Sequence, residues 1–331
     1  MIIFNYICLI ILLVGIGFLY RRYVNKYKEQ EQTNNYDIIK QYLLTKKTNN
    51  INENNDSEDD NRPIIWIHVK YDYNSRNWES FQSRSNFNIN MPYQNLTIRS
   101  IIDKNPEFNI CLIDDNSFKN LIPAWNVEIN KIGNPVKDYM RTICLLKVLY
   151  YYGGIIVPPS FLCLKSLLPL YTNKPFVVEN ITKCYTGENI VKYMPDITFI
   201  GAPPKCDLIK QLCYYSKSLL SIDNTNEALF LGDQSKWLLE KVKSNEILLI
   251  DGNLIGIKNN KNKAITCEDL VNTKPLLLHD YKLLGIYIPE KEFLNRNAVA
   301  WFSSIKENEL LESNMAISKY FISCKFNLIN L

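Results

Sequence analysis

Two charged residues three apart, Asp138 and Arg141, interrupt the apolar stretch NPVKDYMRTICLLKVLYYYGG. On a helix they share a face, and at about 100° per residue Leu145 and Leu149 lie on it too. Lone buried charge is costly, so the pair must close as an intrahelical salt bridge or aim into a polar crevice at a ligand. Three other polar features stand at the ends of apolar runs: His68, the Asp114-Asp115-Asn116 triplet, and the Gly153-Gly154 turn that leads to Pro158-Pro159-Ser160. Acid at a strand end can bind ribose or metal, and Asp-Asp-Asn also caps turns. In open parallel sheets ligands lie beyond the carboxyl ends of the strands, where all of these fall.

The elements that would carry them alternate. RPIIWIHVKY has the continuous apolar character of a buried strand, and FNICLIDD is a second that ends in carboxylates. A helix is expected across Tyr93–Ile102. A long one carries Asp138 and Arg141, capped by Asn134, with Pro135 at its first position and Gly153 at its end. IIV, PFVVEN, ITFIGAP, EILLIDG and LLLHDY read as strands, and DLIKQLCYYSKSLL as a helix. GDQSKWLLEKV reads as a helix capped by Asp233, and a last helix spans Glu307–Ile322. Strands alternating with helices imply an α/β domain with a mostly parallel sheet. Two prolines at 158 and 159 fix φ and make that turn rigid.

Residues Ile2–Leu19 are nearly all apolar and are followed by Tyr20, Arg21, Arg22, Lys26 and Lys28. This is the pattern of an uncleaved membrane anchor over residues 1–22. The basic residues lie on its C-terminal side, which places the large domain in the cytosol. Sequons at Asn55, Asn95 and Asn180 favour the opposite side, although Asn-rich chains produce sequons by chance. Residues 23–62 are polar and acid-rich and read as a flexible stalk, in which YDIIKQYLL can form a short helix. Residues 63–331 form the α/β domain. A formal charge of +4 on 331 residues, without an aromatic-basic stripe, is too small to suggest nucleic acid, and no nucleic-acid partner is expected. The nine cysteines have no CxxC spacing, and Cys111 and Cys144 sit in apolar stretches as small hydrophobes.

Asp138-x-x-Arg141, an apolar run and then Gly153-Gly154-Ile155 resemble the core signature of the DXD-type sugar transferases. The opening strand at Pro63–His68 and the acid-ended strand at Asn109–Asp115 are similar to that family's as well. The resemblance covers roughly residues 63–240 and implies a GT-A-like (Rossmann-related) domain holding a nucleotide-sugar donor, with a glycan as acceptor. It implies that Asp138 and Arg141 contact the donor sugar and its phosphate, and that Gly153 and Gly154 turn the backbone beside the donor. His68, Asp114 and Asp115 would line the donor site. Asp233-Gln234 is similar to the acid-amide pair that related transferases place beside the donor sugar, with Asp138 and Asp233 as catalytic carboxylates. His279 stands where a late metal-ligating histidine can be. The departure is at the family's two metal aspartates, which align with Pro158 and Ser160. Without them no Mn²⁺ or Mg²⁺ site is expected, and Arg141 with Lys165 would balance the diphosphate charge. The expectation is a divergent transferase-like membrane protein. The alternative is a catalytically inactive binding or assembly protein that keeps the fold. Composition and architecture are also similar to membrane proteins of large DNA viruses.

Overall fold

The computed structural model describes residues 15–17, 20, 38–44, 62–70, 78–79, 82–83, 91–182, 192–222, 227–278 and 281–326. The chain divides into two units, residues 1–43 and 44–331. In the first, residues 15–17 and 38–40 are helical, the latter within the YDIIKQYLL segment. Most of the expected anchor and stalk lies outside the described residues. Among the described residues no helix is long and apolar enough to cross a membrane.

The second unit is mixed α/β. Its strands are β1 (Ile64–His68), β2 (Trp78–Glu79), β3 (Gln82–Ser83), β4 (Asn109–Ile113), β5 (Gly154–Ile156), β6 (Phe161–Cys163), β7 (Phe176–Thr182), β8 (Lys192–Ala202), β9 (Leu248–Ile250) and β10 (Gly285–Tyr287). Its helices are α1 (Tyr93–Lys104), α2 (Phe118–Leu121), α3 (Val136–Tyr152), α4 (Asp207–Ile222), α5 (Glu227–Lys243), α6 (Cys267–Val271), α7 (Glu290–Asn295), α8 (Glu307–Glu312) and α9 (Ala316–Lys325). Six strands form the central sheet in the order β4-β1-β5-β8-β7-β9. β1 is parallel to β4 and β5, and β9 is parallel to β7; β8 alone runs against its neighbours β5 and β7. The mostly parallel sheet expected from the alternation is therefore present, with one reversed strand.

Every residue of β1 is buried, because the sheet is covered on both faces. Its side chains alternate accordingly. Ile65 and Ile67 join Ile101 of α1 in one core cluster. Trp66 packs on Tyr152 of α3, with ring centroids 5.7 Å apart, and donates its indole N–H to the Gly153 carbonyl at 2.8 Å. A second cluster, built on α6, α8, α9 and β10, takes in Tyr93 of α1 and Leu162 of β6. β6 and β10 pair antiparallel as a separate two-stranded ribbon, with Phe161 opposite Tyr287.

Each described cysteine is a free thiol, and burial pushes the Cys111 thiol up to about 12, as suits a core residue.

Three local expectations are corrected. Helix α5 begins at Glu227, so Asp233 lies inside it and is not its cap. Gly232 is accommodated within the helix and does not start it. Residues 276–278 of the LLLHDY segment are not a strand, and His279 and Asp280 lie outside the described residues. The strand of that region is β10, which finds a partner in β6. The helix expected over Glu307–Ile322 is two helices. Ser313 and Met315 are extended between them, and the Ser313 hydroxyl donates to the Leu310 carbonyl and meets the Ser318 hydroxyl at 2.6 Å. A serine that bonds nearby backbone in this way competes with helix continuation.

Candidate functional site

Parallel pairing brings the polar strand ends together. His68 stands opposite Ile113 at the ends of β1 and β4, and Trp66 opposite Ile156 in β5. The segments that follow these strands therefore emerge at one edge of the sheet. They carry Lys70, Asp114-Asp115 and Pro158–Ser160. Helix α3 returns the chain from β4 to β5 and so begins at the same edge, with Asp138 in its first turn and Arg141 one turn on.

At that edge a buried ion cluster forms. Arg141, 3% exposed, donates from Nε to Asp115 Oδ1 at 2.9 Å and from Nη2 to Asp115 Oδ2 at 2.6 Å, a two-pronged grip. Its Nη1 donates to Asp138 Oδ1 at 3.0 Å. His68 Nε2 lies 3.0 Å from Asp115 Oδ1 and its ring stacks on Phe118, centroids 5.3 Å apart. Burial holds the imidazole below its ordinary range, against the pull of Asp115, so it is neutral and Nε2–H donates to the carboxylate. Burial raises the Asp115 carboxyl, but hydrogen bonds from His68 and Arg141 outweigh it and hold it well below the ordinary range. Asp138 is likewise lowered against burial, by Lys70, Lys291 and Arg141. The Asp138–Arg141 pair thus does both things open to it: it closes within the helix and it faces a crevice.

That crevice has a volume of about 310 Å³ and is lined by His68, Asp138 and Arg141 on one side and by Asn180, Asp196 and Tyr287 on the other. This is the low end of the size that holds a small ligand. Lys291 Nζ is 3.3 Å from Asp138, and Lys70 Nζ is 3.8 Å from Asp138 and 3.9 Å from Glu290. Gln94 donates to Glu290 at 3.0 Å. On the far wall Asn180 donates to Asp196 at 2.9 Å, and Asp196 also accepts from the Thr198 N–H and hydroxyl. Tyr287 is hydrogen-bonded to Asn180, and burial pushes its phenol far above the ordinary range, so it stays neutral.

The Pro158–Ser160 turn is the floor, and it is rigid by bonding as well as by composition. The Phe161 N–H donates to the Pro158 carbonyl, Thr97 Oγ1 to the Pro159 carbonyl, and the Ile288 N–H to the Ser160 carbonyl at 3.1 Å. The Ser160 side chain is fully buried, lines the crevice, and its hydroxyl has no hydrogen-bond partner among the described residues.

No protein-family model matches the chain, and no curated protein matches it. Among solved structures it is similar to the PaToxG glycosyltransferase, with 14% identity over 55% of this chain and 70% of that one, at a TM-score of 0.34. The chemistry of the crevice rests on its own residues.

Those residues do not fit a divalent cation at the place where the resemblance would put one. Hard cations take several oxygen ligands, mostly carboxylate. Proline offers no side-chain oxygen and Ser160 only a hydroxyl. The carboxylates nearby are held by Arg141 and the two lysines at Asp138, by Asn180 and Thr198 at Asp196, and by Gln94 at Glu290. Among the described residues no group of three His, Cys, Asp or Glu side chains is placed to hold a metal.

The remaining sequence candidates are scattered. Asp114 accepts from the Ser117 N–H and hydroxyl and from Asn116, and is a turn cap. Gly153 and Gly154 do not line the crevice; they fit the backbone past Pro204 and Ile64. Asp233 pairs with Lys236 on an exposed face at 2.9 Å, and Gln234 is buried against Ser216 of α4. Lys165 donates to the Tyr281 carbonyl and does not line the crevice. Asp233→Ala should therefore change stability by less than about 0.5 kcal/mol and leave ligand affinity unaltered. A urea midpoint and a binding isotherm check both, and a large loss of affinity would return Asp233 to the site.

Lys70, Asn180, Tyr287, Glu290 and Lys291 line the crevice and were not singled out by sequence as site residues. Lys70 stands two residues after His68, a position that the end of β1 makes legible. The Pro289-Glu290-Lys291-Glu292 run has the composition of any helix start, and only the fold gives it a site.

Proposed function

We propose that this chain is a glycosyltransferase-like protein whose crevice takes a nucleotide-sugar at the carboxyl edge of the sheet. The observation that supports it most is the placement of Asp138 and Arg141, fixed by Asp115 and His68, at a crevice that combines two lysines with carboxylate, amide and hydroxyl groups. Lys70 and Lys291, each beside a carboxylate and still partly exposed, suit a phosphate-bearing ligand. Asn180, Asp196 and Tyr287 suit the hydroxyls of a sugar, which ask for donors and acceptors side by side. The apolar N-terminal run, with its aromatic and basic flank, supports attachment to a membrane with the large domain in the cytosol, and the proposed acceptor is a glycan.

A second reading, that the chain binds the donor without transferring its sugar, is favoured by Pro158 and Ser160 at the places of the metal acids. One experiment separates the two. Full-length protein is titrated calorimetrically with UDP- and GDP-sugars, and the same mixtures, with and without added glycan acceptors, are followed for release of free nucleoside diphosphate as the sugar passes to the acceptor or to water. Binding with steady release supports the enzyme, and binding without release supports the binding-only form. Absence of any binding would remove the nucleotide-sugar from the proposal altogether. Protease accessibility of the large domain in intact membranes tests the topology, with protection opposing the cytosolic side.

A further inference from the structure

We infer that Lys70 and Lys291 do here what a divalent cation does in the sugar transferases the sequence resembles: they neutralise the diphosphate of the donor. The inference rests on the nucleotide-sugar reading above and adds how that ligand's charge is met.

A diphosphate brings two or more negative charges into a crevice, and some group must offset them. The metal cannot be placed on Pro158 and Ser160. Arg141, the cation that the Asp-x-x-Arg pattern offers, has its Nε and Nη2 committed to Asp115 and its Nη1 to Asp138, and it is 3% exposed. It positions Asp138 at the crevice wall. The lysines stand in front of it. Lys70 comes from the segment after β1, and Lys291 from the first turn of α7, so they approach Asp138 from two sides of the crevice. Their side chains are 33% and 51% exposed, which leaves them open to an entering ligand.

The 3.8 and 3.9 Å distances from Lys70 to Asp138 and Glu290 are ion-pair separations, longer than hydrogen bonds. An ammonium group has three donors, so each lysine can keep its carboxylate neighbour and still bond a phosphate oxygen. Asp138 and Glu290 then act as holders that keep two mobile side chains over the crevice.

The test is titration of full-length protein with UDP, and with inorganic pyrophosphate in parallel, in EDTA and then in Mn²⁺. UDP affinity in EDTA should stay within about twofold of that in Mn²⁺, and it should fall as salt is raised, because partly exposed charges are screened. Lys70→Ala and Lys291→Ala should each weaken UDP by about tenfold or more, the effect of a lost charge-assisted hydrogen bond, and Lys→Arg at either position should recover most of it. Thermal melting of each variant shows that it is folded. Pyrophosphate bound with the same dependence on the two lysines assigns the diphosphate as the group they hold. Pyrophosphate binding that is indifferent to them overturns the assignment. Wild-type protein that binds UDP only with Mn²⁺, or folded lysine variants that bind it unchanged, would overturn the inference while leaving the nucleotide-sugar reading intact. Wild-type protein that binds no nucleotide under any condition overturns the reading itself, and the lysine assignment with it.

Discussion

Arg141→Met should destabilise the domain by about 3–5 kcal/mol, the cost of leaving buried carboxylates without their cation. Methionine keeps much of the volume of the side chain, so the loss is electrostatic and not a cavity. Asp115 would retain only the neutral His68, and Asp138 would retain its two lysines. Urea denaturation of the variant beside wild type measures the effect, and a difference below about 1 kcal/mol would show that water or neighbours replace the guanidinium.

The same cluster gives the domain an acid-sensitive stability. His68 is lowered when folded, so its contribution is full above its ordinary value of about 6.5 and is lost as pH falls below it. Asp115 is also lowered when folded, so its contribution is full above about 3.8 and is lost further into acid. Stability should therefore decline from about pH 6.5 downward, and more steeply below about pH 4. In Arg141→Met the second phase should shrink, since Asp115 has lost the partner that depressed it.

Gly154→Ala is expected to cost at least about 3 kcal/mol and to leave little folded protein at physiological temperature. Gly154 has φ +105°, a conformation that side chains rarely adopt. A Cβ there would stand 2.2 Å from the Ile64 carbonyl oxygen, backbone of the neighbouring strand that cannot swing aside. Relief requires β1 and β5 to separate, and with them the edge from which His68, Lys70 and Ser160 project. Gly133→Ala is the control: nothing lies within 4 Å of its Cβ position, and its effect should stay within about 0.5 kcal/mol. A Gly154→Ala chain that melts like wild type would mean that the strand spacing can yield.

Strands β1, β4 and β5 and helix α3 were legible because fully buried strands and a long amphipathic helix write continuous apolar runs. From them the sheet edge follows, and with it the placement of His68, Asp138 and Arg141. What joined those residues was not legible. Asp115 and Arg141 are 26 apart in sequence, and nothing local says that one grips the other. Asp114 and Asp115 are adjacent and look alike, yet one caps a turn and the other anchors the cluster; the direction each side chain leaves the strand end decides it. Asp233-Gln234 misled because a Gly-Asp pair imitates a helix start. Lys291 was hidden for the opposite reason: a lysine in a Glu-Lys-Glu run reads as solvated surface until β10 carries it to the crevice.

The pairing of β6 with β10 also sets an order in time. A chain emerging from the ribosome can assemble the floor and the Asp115–Arg141 cluster once β5 and the Pro158–Ser160 turn are out. The opposite rim waits, because Ser160 is tied to Ile288, and Glu290 and Lys291 follow directly after it. A nascent chain halted just before Gly285 would therefore own its whole Asp-x-x-Arg core and still lack one of the two lysines beside Asp138. A ligand that needs both lysines would find them together only once Lys291 has been made.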